Sequence, residues 1–258
     1  HIDPRNYGNF VHDLFEILTA SARPWSFTAS EIETILQKLY EDHYTQFFNQ
    51  DLWPAFKKRF VTTAERFLEF EKNWSSRFPK SHLIDREKKW SFSLEGINGK
   101  LVTTPAIEAT KGKFHIRGKI DRIDSDDKGH LVILDYKSGA ASAENHNQWF
   151  EKNKLQLLFY IWALENQVME RQEVVGAFYY VFKSMERHRG LGLKESGQDL
   201  FPVEGRFGSL TEASVKKQLL EDLEKTLMEV MAKMDQGYFP PKPRDEELCK
   251  TCHWKKLF

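Results

Sequence analysis

Three charged residues near the middle of this 258-residue chain are spaced so that they can do chemistry together: Asp121, Asp135 and Lys137. Asp121 lies in Gly118-Lys-Ile-Asp121-Arg-Ile-Asp124, and the other two lie in Leu131-Val-Ile-Leu-Asp135-Tyr-Lys137-Ser-Gly139. The polar stretch Ser125 to His130 between them reads as a tight turn, so the two runs read as antiparallel strands. Residues alternate faces along a strand; Asp135 and Lys137 therefore point to one side, and pairing can bring Asp121 beside them. Two carboxylates pressed together repel unless a cation neutralises them, and hard oxygen donors completed by water and phosphate are the usual surroundings of Mg²⁺. Such a cation can polarise a phosphodiester oxygen and lower the pKa of a bound water. Lys137 can orient that water and offset the charge growing on the pentavalent phosphate. The chemistry open to this set is phosphodiester hydrolysis.

The same residue types also occur without any such role. Asp at a hairpin turn and Lys in an edge strand are routinely solvated, and Asp124, Asp126 and Asp127 are read that way. Asp135 differs because it directly follows the apolar run Leu131 to Leu134, where a free charge is costly. Spacing alone leaves the metal site and the solvated pair both open.

The elements that must position these residues follow from hydrophobic periodicity. Phe10, Val11, Leu14, Phe15 and Leu18 recur at helical spacing between Asn6 and Ala20. The pattern repeats from Thr28 to Phe48, with Thr28 or Ser30 as N-cap, and again from Leu52 to Phe78. The texture then changes. Trp90-Ser-Phe-Ser-Leu94 alternates, Gly96-Ile-Asn-Gly99 supplies a turn, and Leu101-Val102, Phe114-His-Ile116 and Leu131 to Leu134 are short apolar runs, predicting three or four strands in hairpin order. Trp149 to Gln167 is predicted helical, Val174 to Phe182 a strand, Gly190 to Gly208 a loop or loose hairpin, and Thr211 to Met234 a long amphipathic helix. Pro240, Pro241 and Pro243 mark an extended tail. The expected architecture is a sheet wrapped by helices.

The combination of the Gly-x-Ile-Asp121-Arg-Ile-Asp setting, Asp135-Tyr-Lys137-Ser-Gly139 and Gln156-Leu-Leu-Phe-Tyr160 resembles the RecB-like branch of the PD-(D/E)XK nucleases, the branch of RecB, AddA and AddB. That branch also places a histidine in a helix opened by Gly-x-x-x-His, matched here by Gly8-Asn-Phe-Val-His12. The resemblance runs from Gly8 to Tyr160, with a softer echo at Gly237-Tyr-Phe-Pro240 and the cysteines. It implies an α/β fold with a restriction-endonuclease-like core, a mixed central β-sheet flanked by helices, and a helical N-terminal third. It implies residues 1–80 as the helical part carrying the histidine and 81–258 as the nuclease core with its C-terminal helix and tail, one continuous nuclease domain overall. It implies His12, Asp121, Asp135 and the main-chain carbonyl of Tyr136 as ligands of Mg²⁺ or Mn²⁺, Lys137 as the catalytic lysine, and Gln156 and Tyr160 as groups that position DNA or water. Read without the resemblance, His12 is a packed or hydrogen-bonded helix residue, and Gln156 and Tyr160, four apart, share a helix face as any core-facing pair does. Glu87 and Glu16 are either supporting groups around the ligands or solvated surface acids.

Many members of the branch carry a four-cysteine iron-sulfur cluster, one cysteine ahead of the histidine helix and three at the C-terminus spaced Cys-x2-Cys-x5-Cys. Here Cys249 and Cys252 supply two, Phe258 stands where the third falls, and no cysteine precedes His12, so no cluster is expected. A zinc site on these cysteines with His253 lacks a fourth ligand.

Composition bounds the rest. Lys+Arg 38 against Asp+Glu 38 gives zero formal net charge, so attraction to a polyanion must come from local segregation and bound metal. A mean hydropathy of −0.58 and the lack of a long apolar run exclude a membrane segment. Two cysteines and no leader predict a reducing, cytoplasmic setting; the start at His1 instead of methionine is what a piece of a longer polypeptide shows. Lys111, Lys113, Arg117, Lys119, Arg122, Lys152 and Lys154 flank the candidate site and can line a phosphate groove, and Trp149, Phe150, Trp25 and Tyr180 can stack on unpaired bases. No base-reading helix is evident, so DNA binding is expected to be independent of sequence. There is no Gly-x-x-x-x-Gly-Lys-Ser/Thr loop, so unwinding must come from a helicase segment or subunit. The alternatives are an inactive scaffolding module that keeps the fold and a phosphohydrolase acting on nucleotides.

Overall fold

The computed structural model describes residues 3–21, 25–105, 114–140, 143–166, 172–204 and 210–238. Helix α1 (Pro4–Thr19) starts behind Asp3, whose side chain accepts from the Arg5 N–H, and Pro4 occupies the first turn, where a missing donor costs nothing. Its predicted stripe of Phe10, Val11, Leu14, Phe15 and Leu18 is fully buried. Helix α2 (Ala29–Leu39) opens with a capping box: Thr28 Oγ1 accepts from the Glu31 N–H, and the Glu31 carboxylate accepts from the Thr28 N–H at 2.7 Å. The regular helix stops earlier than its periodicity predicts, because the chain widens into a π turn over Tyr40–Tyr44. There Tyr40 stacks on Trp53, the first residue of α3 (Trp53–Arg77), with ring centroids 4.0 Å apart.

The described strands are β1 (His82–Ile97), β2 (Lys100–Pro105), β3 (Phe114–Ser125), β4 (His130–Lys137), β5 (Glu173–Val181), β6 (Glu186–Leu193) and β7 (Leu210–Thr211), with α4 (Gln156–Asn166) and α5 (Ala213–Asp235) completing the elements. They form one mixed sheet in the order β2-β1-β3-β4-β5-β6-β7. Asn98 and Gly99, at φ 50° and 72°, make the two-residue turn that folds β2 onto β1. Simple hairpin order fails after that. β1 is 16 residues long and carries β2 along its second half on one edge and β3 along most of its length on the other. β3 and β4 pair antiparallel, as their sequences predict, while β4 and β5 are parallel and joined through α4. Parallel central strands are covered on both faces, which accounts for the unbroken apolar runs Leu131–Leu134 and Val174–Ala177.

Two predicted boundaries move. Gly190 to Leu193 is strand, paired with β5, not loop; at Gly190 (φ 106°) a Cβ would lie 2.0 Å from the Ala177 carbonyl oxygen, so glycine is what lets the strands approach. Helix α4 begins at Gln156 rather than Trp149, because Asn153 adopts φ 51° and ends a series of turns before the helix. Leu157, Leu158 and Tyr160 to Leu164 are all buried, so α4 has little exposed face and its periodicity is weak. One hydrophobic cluster links the N-terminal helices to the sheet: Phe15 stacks on Phe67, and both meet Tyr136 of β4 edge-on. No described helix is long and apolar enough to cross a membrane. The proline tail and Cys249, Cys252 and His253 lie outside the described residues.

Candidate active site

Strand register builds the site. The pair Arg122↔Leu134, extended by one residue, sets Asp121 of β3 opposite Asp135 of β4, and the Tyr136 N–H donates to Asp121 Oδ2 at 2.8 Å. On the other side, Arg86↔Arg122 and Lys88↔Ile120 set Glu87 of β1 opposite Asp121. Three acids therefore lie in one row across three neighbouring strands. The Lys137 ammonium pairs with the Asp135 carboxylate, as the alternation of β4 predicts. Gly118, three residues before Asp121, lies beneath the Trp90 ring, where a Cβ would come within 2.5 Å, so the glycine of the motif is a packing requirement.

Helix α1 delivers His12 to this row from a different part of the chain. Its Nε2 donates to the Tyr136 carbonyl at 3.2 Å; a carbonyl only accepts, so Nε2 carries the hydrogen and the Nδ1 lone pair faces Asp121 Oδ2 at 3.6 Å. Donating the second ring N–H to a main-chain carbonyl is the usual way a metal-binding histidine is oriented. One donor atom each from His12, Glu87 and Asp121 fall within 4.8 Å of one another. Asp135 stands outside that tightest group, beside Lys137.

The electrostatics fit a site short of positive charge. Burial pushes the Asp121 carboxyl up to about 6; the Tyr136 amide opposes the rise and Glu87 adds to it. Burial likewise pushes Asp135 up to about 6 against the pull of Lys137, with Asp121 adding to the rise. Burial lowers the pKa of His12, although Asp135 and Glu87 act the other way, so the imidazole is neutral at pH 7. Neutral imidazole and crowded carboxylates are the forms that a divalent cation takes.

Lys137 anchors a short polar chain leading away from the row. Its Nζ donates to Gln156 Oε1 at 2.9 Å, and Gln156 Nε2 donates to Tyr160 Oη at 2.7 Å. The structure thus brings together His12, Asp121, Asp135, Tyr136, Lys137, Gln156 and Tyr160. It adds Glu87, which the sequence left between a supporting role and a solvated one: its side chain is 17% exposed and paired with Lys119. Glu16 is exposed on α1.

Several readings of neighbouring residues are corrected. Asp124 is not a solvated turn residue. It is buried with Glu71, Arg122 and Arg187, Arg122 Nε donating to Asp124 Oδ1 at 2.6 Å and Arg187 Nη2 donating to Glu71 Oε1 at 2.6 Å. Burial alone raises the Asp124 pKa, but the two guanidinium groups overcome it and hold the carboxyl below its ordinary value. Asp126 is also buried and accepts from the Lys128 and His130 N–H groups, closing the turn; Asp127 is exposed as predicted. Arg122 is consequently unavailable to a phosphate groove. Lys119 and Lys152 are paired with Glu87 and Glu144, and Lys111 and Lys113 lie outside the described residues. Trp149 and Tyr180 are fully buried and cannot stack on bases. The spacing Arg122-x-Asp124 places both side chains on one strand face, a signal that could have foretold their pairing.

Comparison with known proteins agrees with this geometry. The family model of the PD-(D/E)XK nuclease superfamily matches residues 1–257. A subunit of an ATP-dependent helicase/deoxyribonuclease from Clostridium perfringens is 24% identical over 235 residues, covering 84% of this chain and 18% of that protein. The protein of the same name from Carboxydothermus hydrogenoformans is 34% identical over 107 residues, 38% of this chain and 10% of its own length. An exonuclease/helicase subunit, RexB of Lactococcus lactis, is 22% identical over 191 residues, 71% of this chain and 16% of its own. The chain spans less than a fifth of each of these relatives.

Proposed function

The chain belongs to the PD-(D/E)XK nuclease superfamily, and from that membership we propose that it is a Mg²⁺- or Mn²⁺-dependent deoxyribonuclease of exonuclease type. It cuts DNA phosphodiester bonds without regard to sequence, as the nuclease module of a helicase-nuclease in DNA repair and recombination. The observation that carries this reading is the meeting of Asp121 and Asp135, buried side by side, with a neutral His12 and the Lys137 ammonium. A buried carboxylate pair with its pKa raised to about 6 is costly to keep charged without a cation, and its oxygen donors with one imidazole suit Mg²⁺ or Mn²⁺. His12, Asp121, Asp135 and the Tyr136 carbonyl, which retains a lone pair beside its bond from His12, would hold the ion. Two cysteines fall short of the four thiolates an iron-sulfur cluster requires, so the cation is the cofactor.

A bound divalent cation supplies a Lewis acid for the scissile phosphate and acidifies the attacking water. The chain's own residues do the rest. Lys137 directs its N–H donors at the attacking water and at the charge growing on phosphorus, and Gln156 fixes where its ammonium sits. Tyr160, hydrogen-bonded to Gln156, keeps that amide turned toward Lys137. The relatives named as helicase/deoxyribonuclease subunits are far longer than this chain, and the chain has no Walker-type loop, so ATP-driven unwinding belongs to a helicase segment or partner protein beyond it. The setting is the reducing cytoplasm.

The test is cleavage of end-labelled single- and double-stranded DNA in Mg²⁺, in Mn²⁺ and in EDTA, with Lys137→Ala beside the unaltered chain. Metal-dependent cutting that the variant loses is expected, and the ladder reports direction. DNA that is bound but never cut, in either metal, refutes the nuclease reading.

A further inference from the structure

We propose that Glu87 is a further ligand of the cation held by this site, and that Lys119 is its stand-in partner when the cation is absent. The inference rests on the metal-dependent reading above and extends it to a residue that reading does not need.

Three independent features of Glu87 point the same way. The first is register. The pairs on either side, Arg86↔Arg122 and Lys88↔Ile120, place Glu87 directly across from Asp121, which itself faces Asp135. Like charges directly opposite one another destabilise a sheet, so a row of three carboxylates is a poor choice for strand pairing alone. The second is backbone. Glu87 adopts φ 50° in the middle of β1, a left-handed conformation that side-chain-bearing residues adopt at a cost and that gathers at functional sites. The third is convergence with a histidine. A carboxylate oxygen of Glu87 lies within 4.8 Å of both a ring nitrogen of His12 and an oxygen of Asp121, three donors brought from α1, β1 and β3.

Lys119 does not account for these features. It lies on β3 two residues before Asp121, its side chain is 51% exposed against 17% for Glu87, and it reaches inward to the carboxylate from solvent. A long, solvated ammonium can swing away at small cost once a divalent cation takes over the neutralisation. The arriving ion exchanges one positive charge for two at the most acidic point of the row, and Lys119 is freed beside the site, where a DNA phosphate passes.

Mn²⁺ titration calorimetry on the 258-residue chain without DNA tests this, with melting temperatures in EDTA measured alongside. Glu87→Gln keeps the shape of the side chain and removes its charge. It should weaken Mn²⁺ binding at least about tenfold, while its melting temperature in EDTA matches or exceeds that of the unaltered chain, because the carboxylate row is relieved. Lys119→Met should bind Mn²⁺ as tightly or more tightly, having lost a competitor for Glu87. A role for Glu87 in bracing the strands through Lys119 gives the opposite pattern: both variants melt lower in EDTA and Mn²⁺ affinity is unchanged, which overturns the proposal. Asp121→Asn separates the two levels. If that variant loses Mn²⁺ and Glu87→Gln does not, the metal-dependent reading stands and the assignment of Glu87 alone is wrong. If the unaltered chain takes up no Mn²⁺, the reading itself falls and Glu87 with it.

Discussion

Replacing Asp121 by Asn should stabilise the metal-free protein, by an amount that grows with pH. Asn keeps an oxygen to accept the Tyr136 N–H, so the change removes charge and little else. Burial raises the Asp121 pKa from 3.8 to about 6 in the folded chain. A carboxyl whose folded pKa is raised binds more protons when folded than when unfolded, so folding stability falls as pH climbs from near 4 to near 6 and stays low above that. The shift of roughly two units corresponds to about 3 kcal/mol, or a Tm difference of roughly 6–12 °C for a domain of this size. His12 has the opposite slope: its lowered pKa contributes stability above pH 6.5 that is lost as pH falls, but it is present in both proteins and drops out of their difference. Thermal melts in EDTA at pH 4 and pH 7.5 read the effect, with the variant ahead at 7.5 and the gap nearly closed at 4. Mn²⁺ should reverse the order, because a ligand at a thousand times its Kd adds about 4 kcal/mol to the chain that binds it. An Asn variant less stable than the parent at pH 7.5 in EDTA, or a gap that ignores pH, would refute the picture of a buried, under-neutralised carboxylate.

Other outcomes follow from the same geometry. Lys137→Ala should slow single-turnover cleavage by roughly 10²–10³ and leave Mn²⁺ affinity near that of the parent; equal losses in both would make Lys137 structural. Arg187→Ala leaves Glu71 and Asp124 sharing one buried guanidinium, and urea denaturation should register a cost of about 3–5 kcal/mol, against almost nothing if the network were solvated. Thr28→Ala removes the acceptor for the Glu31 N–H and should cost about 1 kcal/mol in the same assay, with DNA cleavage unchanged.

What the sequence determined by itself is what neighbours a few residues apart can decide. The stripe from Phe10 to Leu18, the Thr28 capping box, the turn between β3 and β4 and the shared face of Asp135 and Lys137 all depend on periods of two or three to four residues, and each was legible. So was the family signature, because its motifs lie within short windows around His12, Asp121, Asp135 and Gln156. Contacts across long separations were not legible. Glu87 enters the site through the register of β1 on β3, and nothing near Glu87 states which residue it will face. Arg122 looked like a phosphate contact because its partners Glu71 and Arg187 stand 51 and 65 positions away, on a helix and a strand that meet only in the packed molecule. Gly190 looked like loop because glycine marks turns far more often than close strand approach, and only the Ala177 carbonyl against it shows which. Periodicity fixes which way a side chain points along its own element, whereas register and packing decide what it meets, and the charge on a buried group is set by what it meets.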